Sequence, residues 1–131
     1  MLLRDAFAGH EVHYATTLSG LGERAGLRDV SVVPDCNRHR PVQAITCALR
    51  LGFLILKLRP AAIISTGALP GVIALALGRK IGARTIWIDS IANAEEMSMA
   101  GRMARRHADL WLSQWPIVAE AQGAAYAGSV L

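Results

Sequence analysis

Residues 60–116 decide the fold and read PAAIISTGALPGVIALALGRKIGARTIWIDSIANAEEMSMAGRMARRHADLWLSQWP. The segment contains three short, largely apolar runs, at 61–65, 84–89 and 109–113, and each ends in a polar or glycine-bearing turn. Such continuous runs are typical of strands buried on both faces of a parallel sheet. Helix-like stretches separate them, so the segment predicts consecutive βαβ units.

The same alternation extends outward over the rest of the chain. We predict further strands at 11–16 and 30–33, a glycine-rich loop at 19–26, helices at 41–58, 70–80 and 98–107, and a short last helix from residue 115 or 116. The pattern predicts one α/β domain over residues 1–131, a doubly wound, Rossmann-like parallel sheet. Such a domain normally begins with its central strand, whereas this sequence begins in a helix, so we expect the first strand to be lacking.

Composition narrows the function classes. Hydrophobic residues make up 53% of the 131 residues and charged ones 18%, which excludes a disordered chain. The net charge of +4 suits a phosphate-bearing ligand or an anionic membrane surface. The basic residues are scattered and the few aromatic residues resemble core positions, so nucleic acid is not expected as a partner.

The two cysteines give no disulfide framework, and no signal peptide is recognisable, so a reducing cytosolic setting is expected. Cys36, His39 and Cys47 form at most a partial zinc set, because a fourth ligand is lacking and the spacing matches no common zinc finger. We therefore predict neither a metal nor a cofactor.

The predicted helix at 41–58 approaches the length of a membrane span. Arg50 lies at its middle, and the apolar run 52–56 is far shorter than the ~20 residues that a span requires. We therefore predict no transmembrane helix. Two interpretations remain open, a buried amphipathic helix or a helix lying on an anionic membrane, and the second would use the basic residues Arg38, Arg40, Arg50, Lys57 and Arg59.

Polar residues follow two of the predicted strands at the edge where open α/β sheets bind ligands. Ser65, Thr66, Gly67 and Ala68 join a buried strand to a helix start, which would suit a phosphate or diphosphate, although an ordinary strand-to-helix turn explains them equally well. The glycine-rich loop 20–26 is not a dinucleotide site, because no crossover helix fits before the next strand.

The next strand end carries a cluster of acidic and polar residues. Asp89 and Ser90 close the strand, and Asn93 and Glu95 follow in the loop. Asp89 would take a proton from an acceptor hydroxyl or hold a sugar hydroxyl. Glu95 would instead cap the next helix or lie in solvent.

Several motifs together resemble one family. They are IISTGA (63–68), IDSI (88–91), Glu95, SMAGR (98–102), ADLWLSQWP (108–116) and YAGSVL (126–131). In order and spacing these motifs resemble those of the asparagine-linked glycosylation protein fourteen family and its bacterial PssD-type relatives. More distantly, they resemble those in the acceptor half of MurG-type GT-B transferases.

The resemblance implies a specific role. This chain would be the acceptor-side subunit of a two-chain glycosyltransferase at the cytoplasmic face of a membrane. A partner chain would hold the UDP-sugar, and the acceptor would be a polyprenyl-diphosphate-linked saccharide. Alternatives are a non-catalytic membrane recruiter of that partner, or an inactive remnant.

The resemblance also implies roles for individual residues. Ser65, Thr66 and Gly67 match a ligand loop, in which Thr66 and Gly67 would hold phosphate. Glu95 matches an acid in the following loop, and Asp89 or Glu95 would position or deprotonate the acceptor hydroxyl. Asp89 stands where relatives usually have glutamate, and its side chain is one methylene shorter. The family's opening strand and Gly-Gly-His loop have no counterpart in this sequence. The partner interface is expected at Gln114, Trp115, Pro116, Ser129, Val130 and Leu131.

Overall fold

The computed structural model describes residues 3–130 and shows an α/β fold with five strands in that part of the chain. The predicted α/β class is confirmed. In chain order the elements are α1 Leu3–Ala6, β1 Tyr14–Thr16, α2 Leu21–Arg24, β2 Val30–Val32, α3 Pro41–Leu58, β3 Ala62–Ser65, α4 Ala68–Lys80, β4 Arg84–Ile88, α5 Met99–Ala104, a 3₁₀ turn Arg105–His107, β5 Leu110–Leu112 and α6 Pro116–Gln122.

The largest differences between predicted and observed extents concern three elements. The loop at 19–26 contains the single helical turn α2, which lies between two glycines with left-handed backbone, Gly20 at φ 77° and Gly26 at φ 63°. The strand predicted at 11–16 pairs only from Tyr14 onward. The helix predicted at 98–107 divides into α5 and the 3₁₀ turn.

All strand pairs are parallel, and they form two sheets. β1 pairs with β2, and β4 lies between β3 and β5. A doubly wound sheet has the strand order 3-2-1-4-5-6. The observed sheets fit this order as strands 3-2 and 4-5-6, and no strand among residues 3–130 joins them.

The main core lies between the β3–β4–β5 sheet and the helices on one of its faces. Trp87 and Trp111, from β4 and β5, pack with Leu75 of α4, Met97 and Val118 of α6. Trp87, Leu75, Met97 and Val118 are almost completely buried. Helices α4, α5 and α6 therefore cover this face together.

A second core places α3 against the domain. Cys47, Leu51 and Ile55 are the buried residues of α3, and they pack with Val33 and Cys36 and against the β3–α4 unit. Burial and the neighbouring Cys36 thiol raise the pKa of Cys47 to about 12. Both cysteines are free, and residues 3–130 contain no cluster of three potential metal ligands, so the partial zinc set does not assemble.

Candidate functional site

The carboxyl ends of three parallel strands bring the predicted site loops to one edge of the sheet. The register pairs Ser65 with Trp87, and Ile88 with Leu112. The turns that begin at Ser65, Asp89 and Ser113 therefore leave the sheet side by side. This is the edge where open α/β sheets bind ligands, as the sequence predicted.

The loop Ser65–Ala68 has a backbone shaped for close approach. Gly67 adopts φ 159° and ψ 178°, and Ala68 has a left-handed φ of 61°. Thr66 is exposed, whereas Ser65 is buried with its Oγ against Gly71 of α4, where a Cβ atom would collide with it. No side chain within residues 3–130 caps the amino end of α4, which leaves its first N–H groups for solvent or an anion.

Asp89 is the centre of a buried hydrogen-bond network. Its side chain is 2% exposed. Oδ1 accepts from Trp87 Nε1 (3.1 Å) and Ser98 Oγ (2.5 Å), and Oδ2 accepts from Asn93 Nδ2 (3.0 Å) and the Ser98 amide (2.9 Å). Four donors therefore occupy the carboxylate, which faces the protein interior.

This network fixes the loop between β4 and α5. Ser98 caps α5 by accepting from the Gly101 amide at 2.8 Å, and Ser90 Oγ accepts from the Ala92 amide at 3.2 Å. Asn93 is half-buried, while Glu95 is exposed at a shallow depression lined by residues 92–96. Ser98, rather than Glu95, is thus the observed cap. The ligand contacts assigned to Asp89, Ser90, Asn93 and Glu95 remain predictions.

Gln114 joins the end of β4 to the C-terminal residues. Its side chain is buried, and Nε2 donates to the Asp89 carbonyl at 2.8 Å. Oε1 accepts from the Val130 amide at 2.9 Å and from Ser129 Oγ at 3.3 Å. The buried Gln114 side chain therefore connects residues 129 and 130 to the end of β4.

The predicted partner interface is thus divided between buried and accessible residues. Trp115 and Pro116 are exposed, and Trp115 Nε1 donates to the Ile91 carbonyl at 2.7 Å. Ser129 is exposed and Val130 half-buried. Leu131 lies outside the described residues. The interface itself stays a prediction.

Sequence reasoning missed Trp87 and Ser98 as members of the site. Trp87 was assigned only to a buried strand, although its indole N–H required a partner in the interior. Ser98 carried a usable signal, because a serine directly before a helix is a favoured cap. The link from Ser98 back to Asp89, nine residues away, had no local signal.

Helix α3 presents an apolar stripe to solvent, opposite the residues that pack on the domain. Its members recur every three or four residues and are each at least 60% exposed, namely Val42, Ile45, Leu49, Phe53 and Leu56. By length and composition α3 is the one helix in the described part of the chain that could cross a membrane. Its opposite face packs on the domain through Cys47, Leu51 and Ile55.

Comparison with known proteins supports the fold. No protein-family model matches the sequence, and no curated protein matches it. Among solved structures, the chain is similar to MurG from Acinetobacter baumannii, with a TM-score of 0.69 and 12% identity. The match covers 86% of this chain and 36% of the MurG chain. The chain therefore has a MurG-like, Rossmann-type GT-B domain fold and spans about a third of the length of that protein.

Proposed function

We propose that this chain is the acceptor-binding, membrane-docking subunit of a two-chain glycosyltransferase. It would hold a polyprenyl-diphosphate-linked saccharide, and a separate chain would supply the UDP-sugar. The observation that carries the proposal is the convergence of the loops after β3, β4 and β5 at one edge of a MurG-like sheet.

Within this proposal the diphosphate lies at the start of α4. The uncapped N–H groups there and the exposed Thr66 hydroxyl are donors for phosphate oxygens. Gly67 adds no side chain to the loop, and a Cβ atom placed there would meet nothing within 4 Å, so the space beside it is open to a phosphate. No metal is needed to explain this arrangement.

The two acids receive different roles. Glu95 is exposed in the loop after β4, so it is the residue that would contact or deprotonate the acceptor hydroxyl. Asp89 is a positioning residue, because its four hydrogen bonds hold the Glu95 loop in place. The role predicted for Asp89 is thereby changed from direct contact to support.

Membrane docking is assigned to α3. The helix ends at Leu58, shortly before β3 begins at Ala62, and its Gly52 lies beside Leu77 near the end of α4, so its amino end points toward the edge of the sheet where the loops lie. The apolar stripe is accompanied on one side of the helix by Arg50 and Lys57, both exposed. An apolar stripe beside cations suits an anionic, cytoplasmic membrane face.

Vesicle sedimentation tests both parts of the proposal. The probes are phosphatidylglycerol vesicles with or without a polyprenyl diphosphate. The double variant Ile45→Glu, Phe53→Glu should lose binding to both, whereas Thr66→Val should lose only the increment caused by the diphosphate lipid. Ile117→Glu, at an exposed apolar residue of α6, is the matched control and should bind like wild type. Unchanged binding by the α3 variant would refute membrane docking.

Sugar transfer distinguishes the acceptor role from the alternative of a pure membrane recruiter. In a reconstituted pair with the UDP-sugar subunit, Thr66→Val and Glu95→Gln should lower transfer at least tenfold while membrane and partner binding persist. Full transfer by these variants would favour the recruiter.

A further inference from the structure

Two exposed aromatic side chains lie at the carboxyl end of β5, beside the loops of the candidate site. Three aromatic residues are exposed in the described part of the chain, and one of them, Phe53, belongs to the α3 stripe. The other two are Trp115, which is 37% exposed, and Tyr126, which is 50% exposed. Trp115 comes shortly after β5, and Tyr126 follows Ala125, which bridges to Leu112 at the end of that strand. The ligand-binding edge of the sheet therefore carries aromatic surface.

The Trp115 indole is held in a fixed orientation. Its Nε1 donates to the Ile91 carbonyl at 2.7 Å, and its main-chain N–H donates to Ser113 Oγ at 3.1 Å. The Trp115 carbonyl accepts from the Ser113 hydroxyl at 3.3 Å and from the Ala119 amide at 2.9 Å. Because all its polar groups are bonded within the domain, the exposed part of the residue is largely ring carbon. The ring is thus preorganised for a ligand that stacks on it.

The hydrogen bond to Ile91 also directs the indole toward the loop after β4. That loop carries the exposed Glu95 and the depression lined by residues 92–96. The turns after β3 and β5 leave the sheet about 10 Å apart, which is two strand spacings. A saccharide attached to a diphosphate at the start of α4 would therefore extend along this edge, past the β4 loop, to the indole.

A sugar ring is the part of the acceptor that this indole can recognise. The face of an aromatic ring carries partial negative charge. The C–H groups on the flat face of a pyranose ring are apolar and carry partial positive charge, so the two faces attract each other while the sugar hydroxyls stay hydrated. A diphosphate has no such face, and its negative charge is repelled by the face of the indole.

The predicted partner chain is the other candidate occupant of this surface. A protein interface here would use the neighbouring apolar residues as well, above all Ile117, which is 79% exposed in the first turn of α6. Stacking on a sugar requires only the indole that leans toward the Glu95 loop. Ile117 is therefore a matched position at which the two occupants have different consequences.

We propose that Trp115 is a sugar-stacking residue of the acceptor site, whose indole binds the C–H face of a pyranose ring of the lipid-linked saccharide. The inference rests on the proposed acceptor-binding function, and it adds a residue that contacts the saccharide rather than the diphosphate or the membrane. Loss of the indole should weaken saccharide binding and leave diphosphate binding unchanged.

Vesicle sedimentation tests the saccharide contact separately from the rest of the site. The probes are phosphatidylglycerol vesicles that contain a polyprenyl diphosphate, either bare or bearing a chitobiose disaccharide. The disaccharide should tighten the Kd of the wild type about three- to tenfold. Trp115→Ala should lose this increment and keep the one caused by the bare diphosphate, while Trp115→Tyr should retain part of it. Ile117→Ala, the matched control, should bind both kinds of vesicle like the wild type.

Acrylamide quenching of tryptophan fluorescence gives a second readout if Trp115→Ala does not fold. Trp87 and Trp111 are buried, so quenching of the wild-type chain reports chiefly on Trp115. Vesicles with the disaccharide lipid should reduce the quenching more than vesicles with the bare lipid do.

The outcomes separate this inference from the proposed function. The sugar contact is overturned if the disaccharide adds neither affinity nor protection from quenching, or if Trp115→Ala keeps the full increment. It is also overturned if Trp115→Ala and Ile117→Ala both weaken binding of the UDP-sugar subunit while the disaccharide increment persists, which would assign Trp115 to the partner interface. If the bare diphosphate adds no affinity but the disaccharide binds through Trp115, the diphosphate assignment fails and the sugar contact stands.

Discussion

The two faces of the β3–β4–β5 sheet use alternate residues of the same strands, yet they differ in burial. Trp87 and Trp111 are 0% and 9% exposed under α4, α5 and α6, while on the opposite face the adjacent Ile86 is half-buried and Leu110 is 43% exposed. All four side chains are large and apolar. For these four residues, burial therefore follows the crossovers that place helices on one face, and the strand sequence alone does not determine it.

The largest expected effect comes from truncating a side chain on the covered face, which is the face of the β3–β4–β5 sheet under α4, α5 and α6. Trp87→Ala should lower the free energy of unfolding by about 3–5 kcal/mol, because it leaves a cavity and removes the indole donor to Asp89. Leu110→Ala should cost about 1 kcal/mol or less, since that side chain is already hydrated. Urea denaturation of both variants measures the difference. Equal losses of stability would mean that the face carrying Leu110 is covered in solution.

The next largest effect concerns Asp89, which follows β4 at the carboxyl end of the covered face. Asp89→Asn should lower the free energy of unfolding by about 2–3 kcal/mol. The new NH2 group would replace one carboxylate oxygen and face hydrogen-bond donors, either those of Ser98 and Asn93 or that of Trp87. The exposed Glu95→Gln should change stability by about 0.5 kcal/mol at most. Thermal melts followed by circular dichroism compare the two. A neutral Asp89→Asn variant would contradict the buried network.

Close packing of α5 on the covered face predicts a smaller effect of the same sign. At Gly101 a Cβ atom would lie 2.7 Å from Asp89 Oδ1 and 2.8 Å from Met97 Cγ, so Gly101→Ala should cost about 1–3 kcal/mol. At Gly52, in the middle of α3, the nearest atom would be Leu77 Cδ1 at 3.9 Å. Gly52→Ala should therefore stabilise by about 0.5–1 kcal/mol. Urea midpoints with opposite shifts would confirm this contrast.

The smallest expected effect is a pH dependence at the amino edge of the sheet. Burial, followed by the charges of Arg106, Arg79 and Lys80, lowers the pKa of His107 below its ordinary 6.5. The folded state then binds fewer protons than the unfolded state, so this contribution to stability is present above pH 6.5 and is lost as the pH falls through the lowered pKa.

His107→Gln should therefore flatten the fall in urea midpoint between pH 7 and pH 5. His39→Gln, at an exposed histidine before α3, is the control and should keep the wild-type slope. An identical slope in the His107 variant would show that this group does not contribute.

Most of the fold followed from local signals in the sequence. Helix α3 was predicted with both ends correct, because Pro41 suits a first helical turn and Arg59 precedes a proline. Strands β3 and β4 were predicted within one residue from their apolar runs. The α2 turn was missed because its glycines indicate a loop, and the packing of Gly22 on Val30 involves a later strand.

The sequence predicted which strand ends meet at one edge of the sheet, but it did not predict how their side chains are arranged. The strand ends located Ser65, Asp89 and Gln114 at one edge. Their orientations depend on contacts between distant parts of the chain, such as Gln114 to Asp89 across 25 residues. No periodicity or motif encodes which side of a carboxylate its donors occupy. The sequence likewise indicated that α3 is amphipathic. Which side of α3 packs on the domain depended on the position of α4.

The segment after α6 has a consequence for aggregation. Ala125 forms a bridge with Leu112, donating to the Trp111 carbonyl at 2.9 Å and accepting from the Ser113 amide at 3.1 Å. This contact blocks the outer edge of β5, so within residues 3–130 the three-stranded sheet keeps one free edge, at β3. Unpaired edge strands are templates for pairing with another chain. The segment after α6 thus opposes strand addition at the β5 edge, beside Leu112.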